Sequence, residues 1–111
     1  MKTFTLVVGD KKYELSTSLR VAYVLQGMNN HKPYLEIFQN LDKMAIEQQI
    51  KFLYAAYSVA AKDAVMDEDA FINECLDNLT LQEVLGAVQQ LISGITGKSV
   101  DEAVETATPK N

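Results

Sequence analysis

The chain holds one cysteine, one histidine and no glycine-rich phosphate loop, and these shortages exclude several chemistries at once. A lone Cys75 forbids an intrachain disulfide and gives no sign of an oxidising compartment. Its apolar neighbours make it a small buried residue, not a reactive thiol. With His31 as the only histidine, Cys/His zinc clusters, helical His-x-x-x-His pairs and Cys–His nucleophilic pairs all lack their residues. His31 sits in the polar run Asn29-Asn30-His31-Lys32-Pro33, away from any nucleophile elbow, and is expected as an exposed loop histidine. No Gly-x-Gly-x-x-Gly occurs, and Gly94 and Gly97 are expected to close a helix. Asp67, Glu68 and Asp69 are consecutive carboxylates without the alternating spacing or the glycine of a calcium loop. They suit a helix start instead. The expectation is a non-enzymatic protein with no catalytic residue, metal or cofactor.

Long apolar runs are missing as well. No stretch approaches the roughly 20 apolar residues of a membrane span, and the opening MKTFTLVVGDKK is too short in its apolar part for a signal peptide. A cytoplasmic location without membrane partners is therefore expected. Basic residues number 10 against 15 acidic ones, and the net charge of −5 argues against a generic nucleic-acid surface. The charge is unevenly spread: residues 1–55 carry seven Lys or Arg and five Asp or Glu, whereas residues 56–111 carry three and ten. The acidic half suits a solvated face, a basic partner or head-to-tail packing of subunits.

What is present begins with TFTLVVGDKKYEL, residues 3–15. Phe4, Leu6 and Val8 alternate with Thr3, Thr5 and Val7; Gly9-Asp10 supplies turn residues; Tyr13 and Leu15 resume the apolar face. This predicts a β-hairpin whose inner face packs on helices, because two strands alone are marginal in water. Its free edge is expected to meet another subunit or a partner. STSLRVAYVLQGMNN then predicts a helix with Val21, Val24, Leu25 and Met28 on one face, opened by hydroxyl residues and ended at Asn29-Asn30. Pro33 opens a short helix carrying Tyr34, Ile37, Phe38 and Leu41. Asp42 is expected to cap a third helix with Ile46, Ile50, Leu53 and Tyr57 on one face. The next helix carries Phe71, Ile72, Cys75, Leu76 and Leu79 on its inner stripe. Thr80 and Glu83 form a capping box for the last, with Leu81, Val84, Leu85, Val88, Leu91, Ile92 and Ile95 inward. The fold class expected is α+β and predominantly helical: an N-terminal two-stranded antiparallel hairpin followed by four or five packed helices. Residues 3–97 form one domain, and residues 98–111, poor in large apolar side chains, a flexible tail.

The third helix points to a binding surface. Its second half, FLYAAYSVAA at residues 52–61, is apolar all round, which calls for burial on every side. A domain this small has few elements with which to enclose it. Phe52, Tyr54, Tyr57 and Val59 are therefore the expected partner-binding residues. Tyr54 and Tyr57 suit an interface, since Tyr combines a large apolar body with a polar tip, but core packing is the expected role of each before that. Met28, Met44 and Met66 lie near helix ends, where a flexible thioether fills gaps.

The stretch FTLVVGDKKYELSTSLRVAYVLQ resembles the opening of the tail assembly chaperones of long-tailed, siphovirus-type bacteriophages and prophages, especially those of Gram-positive hosts. Gly9-Asp10, Tyr13-Glu14-Leu15 and Ser16 to Leu25 carry the likeness, and the element order extends it over residues 3–97. The resemblance implies a protein that binds the tape-measure protein during tail morphogenesis, contacts the tail-tube subunit, works in the host cytoplasm and is absent from the mature virion; self-association into a ring or filament is expected from the hairpin's free edge. It also implies a longer form made by ribosomal frameshifting near the end of the shorter one. Two competing expectations are an acidic inhibitor that imitates DNA, suggested by the acidic half, and another adaptor protein of a mobile element.

Overall fold

The computed structural model describes residues 2–28, 36, 39, 40, 43, 45–63 and 65–97. Strands β1 (Thr3–Val8) and β2 (Lys11–Ser16) form an antiparallel hairpin. Four helices follow among the described residues: α1 (Leu19–Met28), α2 (Ile46–Ala61), α3 (Glu68–Asn78) and α4 (Leu81–Thr96). The architecture is α+β and mostly helical, as the alternation and the helical spacings predict. The helix expected from Pro33, with Tyr34, Ile37, Phe38 and Leu41, lies outside the described residues, as do His31, Asp42, Met44 and the segment 98–111.

Register in the hairpin is set by its two-residue turn. Val8 faces Lys11, Leu6 faces Tyr13 and Phe4 faces Leu15, so Leu6, Val8 and Leu15 are buried while Phe4 and Tyr13 pack partly against the core. Gly9 holds a φ of 64°, and Asp10 stays at negative φ, the pattern of a turn with glycine in its first central position. A side chain at Gly9 would also collide with Asn78, whose Oδ1 would stand 2.9 Å from an added Cβ. The ladder continues past the strands: the Thr17 N–H donates to the Lys2 carbonyl at 2.9 Å. Ser16, fully buried, donates from Oγ to Ser18 Oγ at 3.0 Å and accepts the Ser18 N–H at 3.1 Å, turning the chain into α1. The hydroxyl run thus shapes the junction through bonds among its own residues and to Lys2.

Helix α2 is the centre. It packs against β2, α1, α3 and α4, and chiefly against β2 among the hairpin's strands. Phe52, Leu53, Ala55, Ala56 and Tyr57 are buried, each large side chain contributing about 1.5–3 kcal/mol by leaving water. Its start departs from expectation, since the N-cap is Ala45, which makes no side-chain capping bond. At its end Lys62 adopts φ 57° and donates its N–H to the Ser58 carbonyl at 3.1 Å.

Helix α3 begins as its acids predict. Asp67 caps it by accepting the Asp69 N–H at 3.1 Å, while Glu68 and Asp69 lie at the positive end of the helix dipole. In α4 the capping box is complete: Thr80 Oγ1 accepts the Glu83 N–H at 3.2 Å, and Glu83 Oε1 accepts the Thr80 N–H at 2.8 Å. Gly97 ends the helix at φ 76°. Three apolar residues assigned to inner stripes stand outside instead: Ile46, Leu76 and Leu81 are exposed. Each is close to a helix end.

Gly94 has a different role from the one its position near the end of α4 suggests. It lies within the helix, and a Cβ there would sit 2.6 Å from Thr17 Cβ and 2.7 Å from Thr17 Cγ2. The glycine lets α4 press against the β2–α1 junction, where Thr17 is tied to Lys2. Gly94→Ala is expected to destabilise the fold by about 1–2 kcal/mol, because overpacking outweighs the gain in helix propensity of about 1 kcal/mol. Urea unfolding checks this, and the same substitution in a Thr17→Gly background should be neutral or stabilising.

Candidate functional site

The residues expected to bind a partner are placed mostly inside. Phe52 is fully buried and Tyr57 is 8% exposed, while Tyr54 and Val59 are partly buried against the core. Tyr54, Tyr57, Tyr13 and Phe71 form one aromatic cluster. Phe71 stacks on Tyr57 at 5.1 Å between ring centroids and meets Tyr13 and Tyr54 each at 5.5 Å. The hydroxyls are used as well: Tyr54 donates to the Met66 carbonyl at 2.9 Å, and Tyr57 accepts the Met66 N–H at 3.1 Å. Both tyrosines thereby fasten the α2–α3 connection at a single residue. Burial raises the Tyr54 and Tyr13 phenols above their ordinary pKa, with the Glu68 and Asp67 charges adding to the effect at Tyr54. The apolar half of α2 is therefore largely enclosed by the hairpin and the neighbouring helices, the first of the two outcomes open to a helix apolar all round.

The surplus lies on α1. Leu19 is 71% and Tyr23 76% exposed, and their spacing of four residues sets them side by side on the helix surface. Val21, Ala22 and Leu25 face the core from the same helix. Leu19 and Tyr23 line a shallow depression with Arg20, Ala22 and Gln26. An apolar pair with a phenol and a guanidinium at its border suits the apolar stripe of another chain. The signal was available in the sequence as an i, i+4 apolar pair lying off the buried stripe of α1.

A second open feature is the outer edge of β1. Lys2–Thr17 is a hydrogen-bonded pair, and so by alternation are Phe4–Leu15, Leu6–Tyr13 and Val8–Lys11. The main-chain groups of Thr3, Thr5 and Val7 consequently point away from β2, and no main-chain partner reaches them among the described residues. All three residues are exposed. On the hairpin's outer face the Thr5 hydroxyl donates to Glu14 Oε1 at 2.7 Å, and Thr5 and Thr3 hold the Glu14 carboxyl below its ordinary pKa.

Several acids have structural employment. Asp67 caps α3, Glu83 completes the capping box, and Glu74 Oε1 accepts from Lys11 Nζ at 3.3 Å, linking α3 to the hairpin. That contact raises the Lys11 pKa, first through the hydrogen bond and then through the Glu74 charge. Cys75 is buried, with its thiol pushed up to about 11 by desolvation and then by the Glu74 charge. No group of three or more His, Cys, Asp or Glu is arranged to hold a metal among the described residues. No helix among them is long and apolar enough to cross a membrane. The chain matches no protein-family model, no curated protein and no solved structure.

Proposed function

We propose that this protein is a tail assembly chaperone of a siphovirus-type bacteriophage or prophage. In this reading it is non-enzymatic, binds the tape-measure protein in the host cytoplasm, contacts the tail-tube subunit and departs before the virion is complete. The exposed Leu19–Tyr23 pair on α1 carries the reading. It lies within residues 4–26, the stretch in which the resemblance resides, and it offers apolar area that the fold does not cover. A tape measure is a long amphipathic helical chain, whose bare stripe needs a small partner with an apolar patch. The acids that cap helices or pair with Lys11 favour this reading over an imitation of DNA, which requires carboxylates free for a partner.

Titration calorimetry with helical fragments of the tape-measure protein tests the proposal. Binding by the unaltered chain is expected, and the double variant Leu19→Ser/Tyr23→Ser should weaken it at least about tenfold, or about 1.4 kcal/mol, with unchanged thermal stability. Absence of binding by the unaltered chain overturns the chaperone reading. Binding that ignores the double variant moves the contact away from α1.

A further inference from the structure

We propose that β1 is a homotypic edge, through which two copies of this chain join β1 to β1 about a two-fold axis at Thr5 and form one four-stranded antiparallel sheet. The groups that would pair are already aimed outward: those of Thr3, Thr5 and Val7. An antiparallel ladder needs outward residues opposite outward residues. With the axis at Thr5, Thr3 meets Val7 of the second copy and Thr5 meets its own counterpart, so every outward group on one strand finds an outward group on the other.

Charge and shape favour a second copy as the occupant. Exposed sheet edges are ordinarily blunted by Lys, Pro or inward charges, yet β1 reads TFTLVV without a single charge or proline. The other strand, β2, carries Lys11, Lys12 and Glu14. In the two-fold register the nearest charge, Lys2, falls opposite Val8 of the second copy and away from the other Lys2, so like charges do not meet. Side-chain faces match as well, since Thr3, Thr5 and the half-exposed Val7 lie on the outer face of both strands. The helices leave the outer face of β1 open: α2 packs the hairpin chiefly over β2 and α3 also reaches β1, while Thr3, Thr5 and Val7 remain exposed. One edge ladder is smaller than the roughly 1,200–2,000 Å² of a standard stable interface, so the dimer is concentration-dependent. The inference stands apart from the tape-measure reading, because it is tested on the purified chain alone.

Register gives a sharp test. Directly opposed hydrogen-bonded residues lie about 5.5 Å apart at Cα, within the roughly 4.4–6.8 Å that a disulfide spans. Under a mild oxidant, Thr5→Cys should form a covalent dimer at least ten times faster than Lys12→Cys, an exposed thiol on the same outer face of β2. Cys75 is too buried to compete. Adding Val7→Pro to Thr5→Cys should return the rate to that of the control, because proline removes an outward N–H that the hairpin itself does not use. Sedimentation provides the second measurement: Thr5→Lys leaves the backbone alone but opposes two ammonium groups, and should raise the concentration for half-association at least tenfold. Equal cross-linking of Thr5→Cys and Lys12→Cys, or an unaltered chain that stays monomeric at every concentration, overturns the proposal. So does association that Thr5→Lys leaves unmoved, the result expected of a different face.

Discussion

Phe71→Ala is expected to remove about 3–5 kcal/mol of unfolding free energy, a large share of the roughly 5–15 kcal/mol that holds a domain of this size together. The ring is fully buried and touches three others, so its loss leaves a void bordered by Tyr13 from β2 and by Tyr54 and Tyr57 from α2. Those rings cannot close the gap freely. Tyr54 and Tyr57 are held by their hydroxyls at Met66, and moving either breaks a bond to the main chain. Incomplete collapse places the cost toward the upper part of the range. Urea unfolding followed by circular dichroism measures it, with Ile72→Ala, a partly buried neighbour on α3, as the milder comparison. A loss below about 1 kcal/mol would show that the cluster repacks, contrary to the hydroxyl anchoring described above.

Stability should also fall on the alkaline side, with Cys75 as its largest single source. The thiol is raised from an ordinary 9.0 to about 11 in the folded chain, so the folded state holds its proton more tightly than the unfolded state does. For a group shifted in this direction the stabilisation is complete below pH 9 and drains away as pH rises toward 11. Two pH units of difference correspond to about 3 kcal/mol. Tyr13, Tyr54 and Lys11 are shifted upward too, and reinforce the decline at higher pH. Unfolding free energies measured from pH 7 to 11 should therefore slope downward, and Cys75→Ala should flatten the slope between 9 and 11 while lowering stability at pH 7 through lost packing. An equal slope in both proteins would assign the alkaline loss to the phenols. Aromatic disulfide reagents provide an independent reading, since a buried protonated thiol should react only at the pace of unfolding.

Much of this architecture is legible in the residues themselves. The alternation of Phe4, Leu6 and Val8 around Gly9 specifies the hairpin, and Thr80 with Glu83 announces α4, because both signals act within a few residues of one another. What escapes is set by contacts between distant segments. Gly94 reads as a helix ending, and only the approach of Thr17 reveals it as a packing glycine. Asp42 reads as a cap, whereas α2 begins after Ala45. The candidate surface shows the same division. The apolar run 52–61 correctly marks the central helix, but local pattern cannot count the neighbours that cover it, so it leaves enclosure and a surplus face both open; Phe52 and Tyr57 prove to be core. Leu19 and Tyr23 have no role in the sequence pattern and prove to be exposed. Single apolar residues outside a stripe are ordinary on protein surfaces, and their pairing becomes informative once the rest of α1 is seen to face inward.

The hub position of α2 has a consequence for how the chain comes into being. The hairpin and α1 are made first, yet the helix that β2 and α1 lean on ends only at Ala61. At a synthesis rate of roughly 5–20 residues per second, the nascent strands wait on the order of seconds for their support. Throughout that interval an uncharged edge is bare on every ribosome translating the message. Neighbouring ribosomes on one transcript would present such edges side by side, so pairing of two newborn copies could begin before either is finished.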